Sequence, residues 1–175
     1  MNEQSHLERA IAVALEAERR GNLPIGAVIV LDDRVIAEGY NAVVMPSRHP
    51  GRHAEMEALA RVPDGSWMRS REMTCYTTLE PCVMCFGALL LHGIGRIVFG
   101  ARDPQGGASV LLEHLPPYYA GPDWRPVMEG PLAADVCDPL YERAFGRYVD
   151  LEDKRIGTRL TRDSRFEIRD SERHT

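Results

Sequence analysis

Short β-rich runs alternate with short amphipathic helices along this chain, and that alternation constrains the fold more than any other feature. Apolar residues recur at helical spacing over 5–20. The β-rich runs 24–31 and 34–40 are separated by Asp32-Asp33, which indicates a hairpin. Strands alternating with helices predict an α/β layered domain whose sheet the hairpin makes mixed. The later predicted elements are helices at 53–62, 82–91 and 131–148, strands at 73–79 and 96–100, and a helical turn at 110–114.

Local signals indicate where the first and last helices begin or break. Ser5 and Glu8 have the spacing of a capping box, and Gly21 lies where a helix C-cap is expected. Asp138-Pro139 should kink or restart the last helix. Two proline-containing segments, 41–52 and 116–126, are predicted loops, and the second carries Tyr118, Tyr119 and Trp124.

Composition places the chain among soluble globular proteins. Of its 175 residues, 44% are apolar and 27% are charged, which suits one packed domain. The longest apolar run, 82–91, is too short to cross a bilayer, and the first residues do not resemble a secretion signal. We therefore expect a cytoplasmic protein without a membrane partner. The net charge of −5 argues against a dedicated nucleic-acid binder.

Cysteine spacing points to a metal rather than to disulfides. The four cysteines are Cys75, Cys82, Cys85 and Cys137. In a cytosolic chain, closely spaced cysteines are more often metal ligands or catalytic groups than parts of a disulfide scaffold. Cys75 and Cys137 stand far apart in predicted elements and are expected to be packing residues.

Two motifs, each at the start of a predicted helix, carry the chemistry. His53 and Glu55 form His-Ala-Glu, and Cys82 and Cys85 follow Pro81 as Pro-Cys-x-x-Cys. Cysteines three apart share one helix face, and a helix N-terminus favours the thiolate form that binds metal. His53 with two thiolates gives three protein ligands, which leaves zinc a fourth position for a reactive water.

Glu55 is then available for proton transfer. Residues two apart in a regular helix point roughly 200° apart. His53 and Glu55 therefore converge only if His53 lies in the first turn or at the cap. His-x-Glu followed by Pro-Cys-x-x-Cys matches the zinc deaminase signature, in which a non-ligand Glu transfers protons. A redox pair or half of a zinc ribbon would explain the cysteines alone, but would leave His-Ala-Glu unexplained.

With these motifs the chain resembles the cytidine deaminase superfamily, and within it the bacterial tRNA-specific adenosine deaminases. The likeness covers about 7–148, and the stretch Ala101-Arg102-Asp103 favours the tRNA-editing branch. Besides the zinc motifs, it rests on the segments 23–28, 38–41, 76–81, 95–103 and, more loosely, 128–133.

The resemblance implies a fold, a reaction and further site residues. The fold would be a three-layer α/β/α arrangement around a five-stranded mixed sheet, usually a homodimer. One zinc ion per chain would serve hydrolytic deamination, with tRNA wobble adenosine converted to inosine. Asn41 would hydrogen-bond the base, Ala54 would line the pocket with its backbone, and Arg102 and Asp103 would lie near the bound nucleotide.

Several features leave other substrates open. Arg52 stands before His53 where that branch has a small residue, and the aromatic loop 116–126 is longer than expected. Each could suit a free nucleobase or nucleoside, such as guanine, cytosine or cytidine. A different class, a zinc-containing RNA-binding subunit without activity, is disfavoured by the intact Glu55. The apolar helix 82–91 is expected to be buried in the core or at a subunit contact.

The chain is predicted to divide into a deaminase domain, 1–148, and a charged tail, 149–175. The tail holds seven bases and seven acids, so the −5 belongs to the domain. On a helical wheel six tail arginines form a basic stripe that could meet phosphates. Any RNA contact must therefore be local, through Arg52, Arg102 or the tail.

Overall fold

The computed structural model describes residues 3–156, which form one α/β unit. The predicted alternation of helices and strands is confirmed. The helices are α1 (Glu3–Arg19), α2 (Ala54–Leu59), α3 (Val83–Leu91) and α4 (Ala134–Ile156). The strands are β1 (Gly26–Leu31), β2 (Arg34–Tyr40), β3 (Thr74–Leu79), β4 (Arg96–Ala101) and β5 (Val127–Glu129), and 3-10 helices cover Asp64–Glu72 and Ser109–Glu113.

The five strands form a single mixed sheet in the order β2-β1-β3-β4-β5. β1 is antiparallel to β2 and β3, whereas β3, β4 and β5 run parallel. The ends of β3 and β4 therefore meet at the same edge of the sheet as the start of β1 and the end of β2. This edge carries the candidate site.

Helices cover both faces of the sheet, so the predicted three-layer α/β/α arrangement is confirmed. On one face α1 packs through Leu7 and Val13 against Val28 and Val98 of the sheet, and α4 joins α1 through Cys137. On the other face, α2 and α3 enclose the larger apolar cluster. That cluster includes Ala27, Ile29, Ala58, Phe86, Leu89 and Ile97, all at most 2% exposed.

The first helix and the hairpin follow local sequence chemistry with one correction. α1 is already helical at Glu3, so the predicted capping box at Ser5 was wrong, because Ser5 lies inside the helix. Gly21 ends the helix at φ +81°, the left-handed conformation expected of a C-cap. Asp32 and Asp33 both have positive φ, as a two-residue hairpin turn requires, and the hairpin is confirmed.

The later chain differs more from the predictions. The 3-10 helix at Asp64–Glu72 and the three-residue β5 were not found by periodicity. α4 continues through Pro139 rather than restarting, because proline in the sixth helical position removes only one backbone hydrogen bond. α4 also extends beyond Tyr148 to Ile156, while the arginine stripe predicted for the tail lies outside the described side chains. Within 3–156, no helix is long and apolar enough to cross a membrane.

Candidate metal centre and active site

The His-Ala-Glu motif lies where α2 begins, close against the sheet. His53 is the N-cap of α2, with φ −73° and ψ 159°, so its backbone is extended rather than helical. This is the geometry that lets His53 and Glu55 converge. A Cβ at Gly39 of β2 would lie 2.1 Å from the carbonyl oxygen of Ala54. Glycine therefore allows the first turn of α2 to touch the strand directly.

The two motif cysteines open α3 and meet His53. Cys82 is the N-cap of α3, and Cys85 lies in the first turn and is buried. Their sulfurs lie 3.6 Å and 3.5 Å from His53 Nδ1, respectively. The three potential ligand atoms all lie within 4.8 Å of one another. The backbone carbonyl of Pro50 also hydrogen-bonds the imidazole, as a partner that orients a metal-binding histidine does.

The electrostatics of this group favour a bound cation. A hydrogen bond from Cys85 lowers the pKa of the Cys82 thiol to about 4, with a further contribution from His53. The same hydrogen bond raises the pKa of the Cys85 thiol, because Cys85 donates its proton to the Cys82 thiolate. Burial opposes protonation of His53, but the Cys82 thiolate and Glu55 raise its pKa overall. One nitrogen and two sulfur donors at a helix N-terminus are a ligand set that zinc prefers.

Glu55 lies beside this group in the interior. It is 3% exposed, and burial raises the pKa of its carboxyl. Thr77 of β3, which is fully buried, donates its hydroxyl to Glu55 Oε1 at 3.1 Å. Sequence reasoning did not single out Thr77, since its partner stands 22 residues earlier in the chain. This hydrogen bond holds the Glu55 carboxyl group in place close to the three potential ligands.

A cavity of about 490 Å³ opens over His53, Glu55 and Cys82 at the sheet edge. Its volume falls within the range of about 300–1,000 Å³ typical of small-molecule sites. The walls are the start of β1, the loop after β2, the segments after β3 and β4, and one face of α4. The remaining lining residues are Leu23, Ile25, Asn41, Val43, Arg48, Pro50, Leu79, Glu80, Asp103, Gln105, Gly106, Tyr141, Ala144, Phe145 and Tyr148.

The four residues predicted to bind substrate are divided between the cavity and its surroundings. Asn41 and Asp103 line the cavity. The Asn41 Oδ1 accepts the N–H of Val43 at 3.2 Å, which leaves its amide N–H groups as donors. Ala54 is fully buried, and Arg102 is exposed, with its guanidinium 5.8 Å from the centre of the Phe99 ring. Neither Ala54 nor Arg102 lines the cavity.

Arg52 lies away from the cavity lining. Its guanidinium bonds both carboxylate oxygens of Glu57 on α2, at 2.8 Å and 3.1 Å. Glu57 also pairs with Arg61 on the same helix. This pairing directs Arg52 along the outside of α2, so its influence on the cavity is indirect.

An aromatic face of α4 forms part of the cavity wall. Tyr141, Phe145 and Tyr148 line it at spacings of four and three residues, which place them on one side of the helix. The rings of Tyr141 and Phe145 stack at 6.0 Å, and Tyr148 is 48% exposed. Sequence reasoning missed these residues, although their spacing in the predicted helix was the available signal. We call them the aromatic stripe.

The aromatic residues of the loop 116–126 lie elsewhere. Tyr118, Tyr119 and Trp124 pack on one another, with ring centres 4.9–6.0 Å apart. Arg71 holds the loop by donating to the carbonyls of Trp124 and Arg125, beside the start of β4. The cavity is at the opposite end of β4, and Tyr118, Tyr119 and Trp124 do not line it.

The part of the sequence that supplies His53, Cys82 and Cys85 matches a known family. Residues 1–101 match the family model for the zinc-binding region of cytidine and deoxycytidylate deaminases. The chain belongs to this family. It is a hydrolytic deaminase with zinc as its cofactor, as the two motifs predicted, and His53, Cys82 and Cys85 provide a ligand set that fits the ion.

Individual relatives indicate which branch of the family this chain is most similar to. The chain is 40% identical over 115 residues to a tRNA-specific adenosine deaminase of Bacillus subtilis, covering 65% of this chain and 70% of that protein. It is 42% identical over 140 residues to one of Haemophilus influenzae, covering 79% and 80%. A solved structure from studies of A-to-I editing by tRNA:A34 deaminases superposes with a TM-score of 0.64 at 32% identity, covering 79% of this chain and 99% of that one.

Proposed function

We propose that this chain deaminates the wobble adenosine of a tRNA to inosine. The observation that carries the proposal is a cavity whose floor holds His53, Cys82 and Glu55 and whose wall includes the aromatic stripe. The floor suits the attack of water on a ring carbon that bears an amino group. The stripe offers flat apolar surfaces to neighbouring bases of an unpaired loop, since every base has a face that stacks on an aromatic ring.

In this proposal each residue has a distinct role. His53, Cys82 and Cys85 would hold the metal, which when bound would supply a water acidic enough to react near neutral pH. A carboxylate oxygen of Glu55 takes one proton from the attacking water and passes it to adenine N1 as the water oxygen bonds to C6. Glu55 then takes the second water proton and passes it to the amino group, the C6–N bond breaks, ammonia leaves and C6 becomes a carbonyl carbon. Its raised pKa suits a group that must both accept and release protons.

Asn41 and Asp103 orient the substrate in this scheme. The Asn41 amide donates to an acceptor atom on the base, because its oxygen is already bonded to Val43. Asp103 lies at the cavity wall next to the aromatic stripe and faces the nucleotide rather than the reacting amine. Arg102 is placed outside the cavity, where it is available to a neighbouring phosphate.

Stacking also accounts for RNA binding by an acidic chain. Phosphate contacts by lysine and arginine usually dominate affinity for nucleic acid, yet this chain carries a net charge of −5. The aromatic stripe provides affinity that does not depend on net charge. A cytoplasmic location is part of this proposal, because a tRNA substrate would be met there and the four free cysteines suit a reducing compartment.

A substrate panel tests the proposal. Ammonia release is measured from an arginine-tRNA anticodon stem-loop and from guanine, cytosine, adenosine and cytidine at equal concentrations. We expect turnover of the stem-loop to exceed that of each free compound by at least about a hundredfold, an advantage equal to about 2.7 kcal/mol of additional binding and positioning. Rapid turnover of a free base beside an inert stem-loop would reassign the substrate. One zinc per chain with no ammonia from any compound would instead support a non-catalytic subunit.

The aromatic stripe yields a prediction about affinity for the stem-loop. Tyr148→Ala should raise KM for the stem-loop about 5- to 150-fold, because base–aromatic stacking contributes about 1–3 kcal/mol per base. The matched control is Tyr118→Ala, since Tyr118 is also exposed but lies in the loop at the far end of β4. Steady-state kinetics on both variants make the comparison. Equal KM values for the two variants would show that the stripe does not bind RNA.

We propose further that the chain is a homodimer joined through α3. This helix was expected to be buried all round, but one side of it is exposed. Val83 and Leu91 are 63% and 62% exposed, and Met84 and Gly87 lie on the same side. An apolar helix face with a glycine at its centre allows a second helix to approach closely. Val83 and Met84 lie between Cys82 and Cys85 in the chain, so a dimer contact on this face would support the metal centre.

Leu91→Glu tests this interface. We expect wild-type protein to have the mass of a dimer by light scattering and the variant to have the mass of a monomer at micromolar concentration. The reason is that a carboxylate would be buried in an apolar contact without a partner. The control is Leu132→Glu, since Leu132 is 52% exposed but precedes α4 on the other side of the sheet. A monomeric wild type, or a dimeric Leu91→Glu variant, would contradict the assignment.

A further inference from the structure

The segment 103–109, which follows β4, forms a part of the cavity wall that contacts the zinc-ligand turn at Pro81 and Cys82. Asp103, Gln105 and Gly106 line the cavity from this segment. Asp103 Oδ1 accepts the N–H groups of Gln105 and Gly106, both at 3.0 Å, so the segment folds back on itself. It belongs to no helix or strand over 103–108 and needs another anchor to hold its position.

That anchor is a carboxylate from the end of β3. Glu80 is 3% exposed, and its two oxygens accept backbone N–H groups at the two ends of the segment. Oε2 accepts from Asp103 at 3.2 Å, and Oε1 accepts from Ser109 at 3.0 Å. Each carboxylate oxygen is therefore committed to a different end of the same segment.

The segment also closes over the zinc-ligand turn. Gly107 pairs with Cys82 as an isolated β-bridge, and the N–H of Ala108 donates to the carbonyl of Pro81 at 3.0 Å. A Cβ at Gly107 would lie 2.4 Å from Glu80 Cδ. Position 107 therefore needs glycine, because a side chain there would clash with the Glu80 carboxylate. The segment is packed tightly around Glu80.

We propose that Glu80 is a positioning residue that fixes the 103–109 segment against the Cys82 turn and thereby sets the substrate-facing wall. Glu80 acts through Asp103 and its neighbours rather than on the reacting atoms. This inference rests on the proposed function for the identity of the substrate. The placement of the segment does not depend on that identity.

Glu80→Gln tests the inference with two readouts. The amide group of glutamine has one acceptor, so one of the two backbone N–H groups loses its partner. We expect hydrogen exchange at Asp103 or Ser109 to accelerate at least about tenfold, which is the fold-change for a loss of about 1.4 kcal/mol of protection. We expect KM for the stem-loop to rise at least about fivefold, consistent with the loss of one hydrogen bond. Turnover at saturation and zinc content should stay close to the wild-type values.

The control is Glu113→Gln, an exposed glutamate shortly after the segment, which should change none of these quantities. Gly107→Ala disturbs the same contact from the other partner, because its Cβ would clash with the Glu80 carboxylate. If this variant folds, its KM should rise in the same way. Unchanged exchange at both amides, or an unchanged KM, would overturn the inference. A fall in zinc content or in turnover at saturation would also overturn it, since Glu80 would then act on the metal centre. If the wild-type protein turned over no substrate, the proposed function would fail. The role of Glu80 would still be decided by the two hydrogen-exchange rates and by the affinity for the stem-loop, measured by fluorescence anisotropy.

Discussion

Glu55→Gln should abolish nearly all deamination while the protein keeps its zinc. General acid–base catalysis contributes about 10²- to 10⁴-fold to rates, and Glu55 is assigned to both proton transfers, so we expect a loss of at least about 10³-fold in kcat. Glutamine has nearly the same shape and can still accept the Thr77 hydroxyl, which now bonds Oε1 at 3.1 Å. The fold should therefore persist, and its stability should not fall, because burial already disfavours the charged carboxylate.

The matched control is Glu57→Gln on the same helix. Glu57 bonds Arg52 and Arg61 on the outside of α2 and does not line the cavity. A partly exposed ion pair contributes about 0–1 kcal/mol, so this variant should remain within a few-fold of wild type. Steady-state ammonia release and zinc analysis on both proteins complete the test. A Glu55→Gln enzyme that retains more than a tenth of wild-type turnover would remove Glu55 from the proton-transfer role.

Loss of either motif cysteine should remove both zinc and activity. Cys82→Ala or Cys85→Ala leaves two protein ligands, and a catalytic zinc site is normally built from three. We expect less than about a tenth of a zinc per chain and no measurable turnover, because a ligand set reduced to two donors does not retain the ion. Zinc is measured by atomic emission on protein dialysed against a chelator-treated buffer.

Cys137→Ala provides the comparison for this prediction. Cys137 is 1% exposed and packs against Gly100 between α4 and β4, away from the metal centre. Its replacement removes one buried sulfur and should lower stability by about 1 kcal/mol, the transfer and cavity terms for a small group. It should leave one zinc per chain and normal turnover. Full zinc content in both motif variants would show that the metal is held elsewhere.

The metal centre was predictable from sequence because its geometry is local. Cys82 and Cys85 depend only on the start of one helix, and His53 and Glu55 on the start of another. The requirement that His53 occupy the cap followed from helix geometry alone, and the structure meets it. The pairing of the two helix starts was predicted by the signature and by the family resemblance.

Other parts of the site depend on tertiary contacts that no local pattern specifies. Thr77 and Glu80 lie in and just after a strand, and their partners come from segments 22 to 29 residues away. The aromatic stripe has a spacing that core helices also show, so its exposure to a cavity is decided by how α4 packs on β4.

Two features of the fold outside the site were also not predictable from local patterns. β5 is only three residues long and exists through pairing with β4. The capping box at Ser5 failed because serine at helix positions has only a small propensity cost, and α1 already begins at Glu3.

The most direct test of the proposed function is the position-resolved detection of inosine in a reacted arginine tRNA. The tRNA is incubated with wild-type protein or with Glu55→Gln, then reverse-transcribed, and every adenosine is examined for reading as guanosine. We expect conversion at the wobble adenosine alone, with wild type and not with the variant. Conversion at other adenosines, or none at the wobble position from a zinc-loaded enzyme that deaminates a free base, would contradict the account.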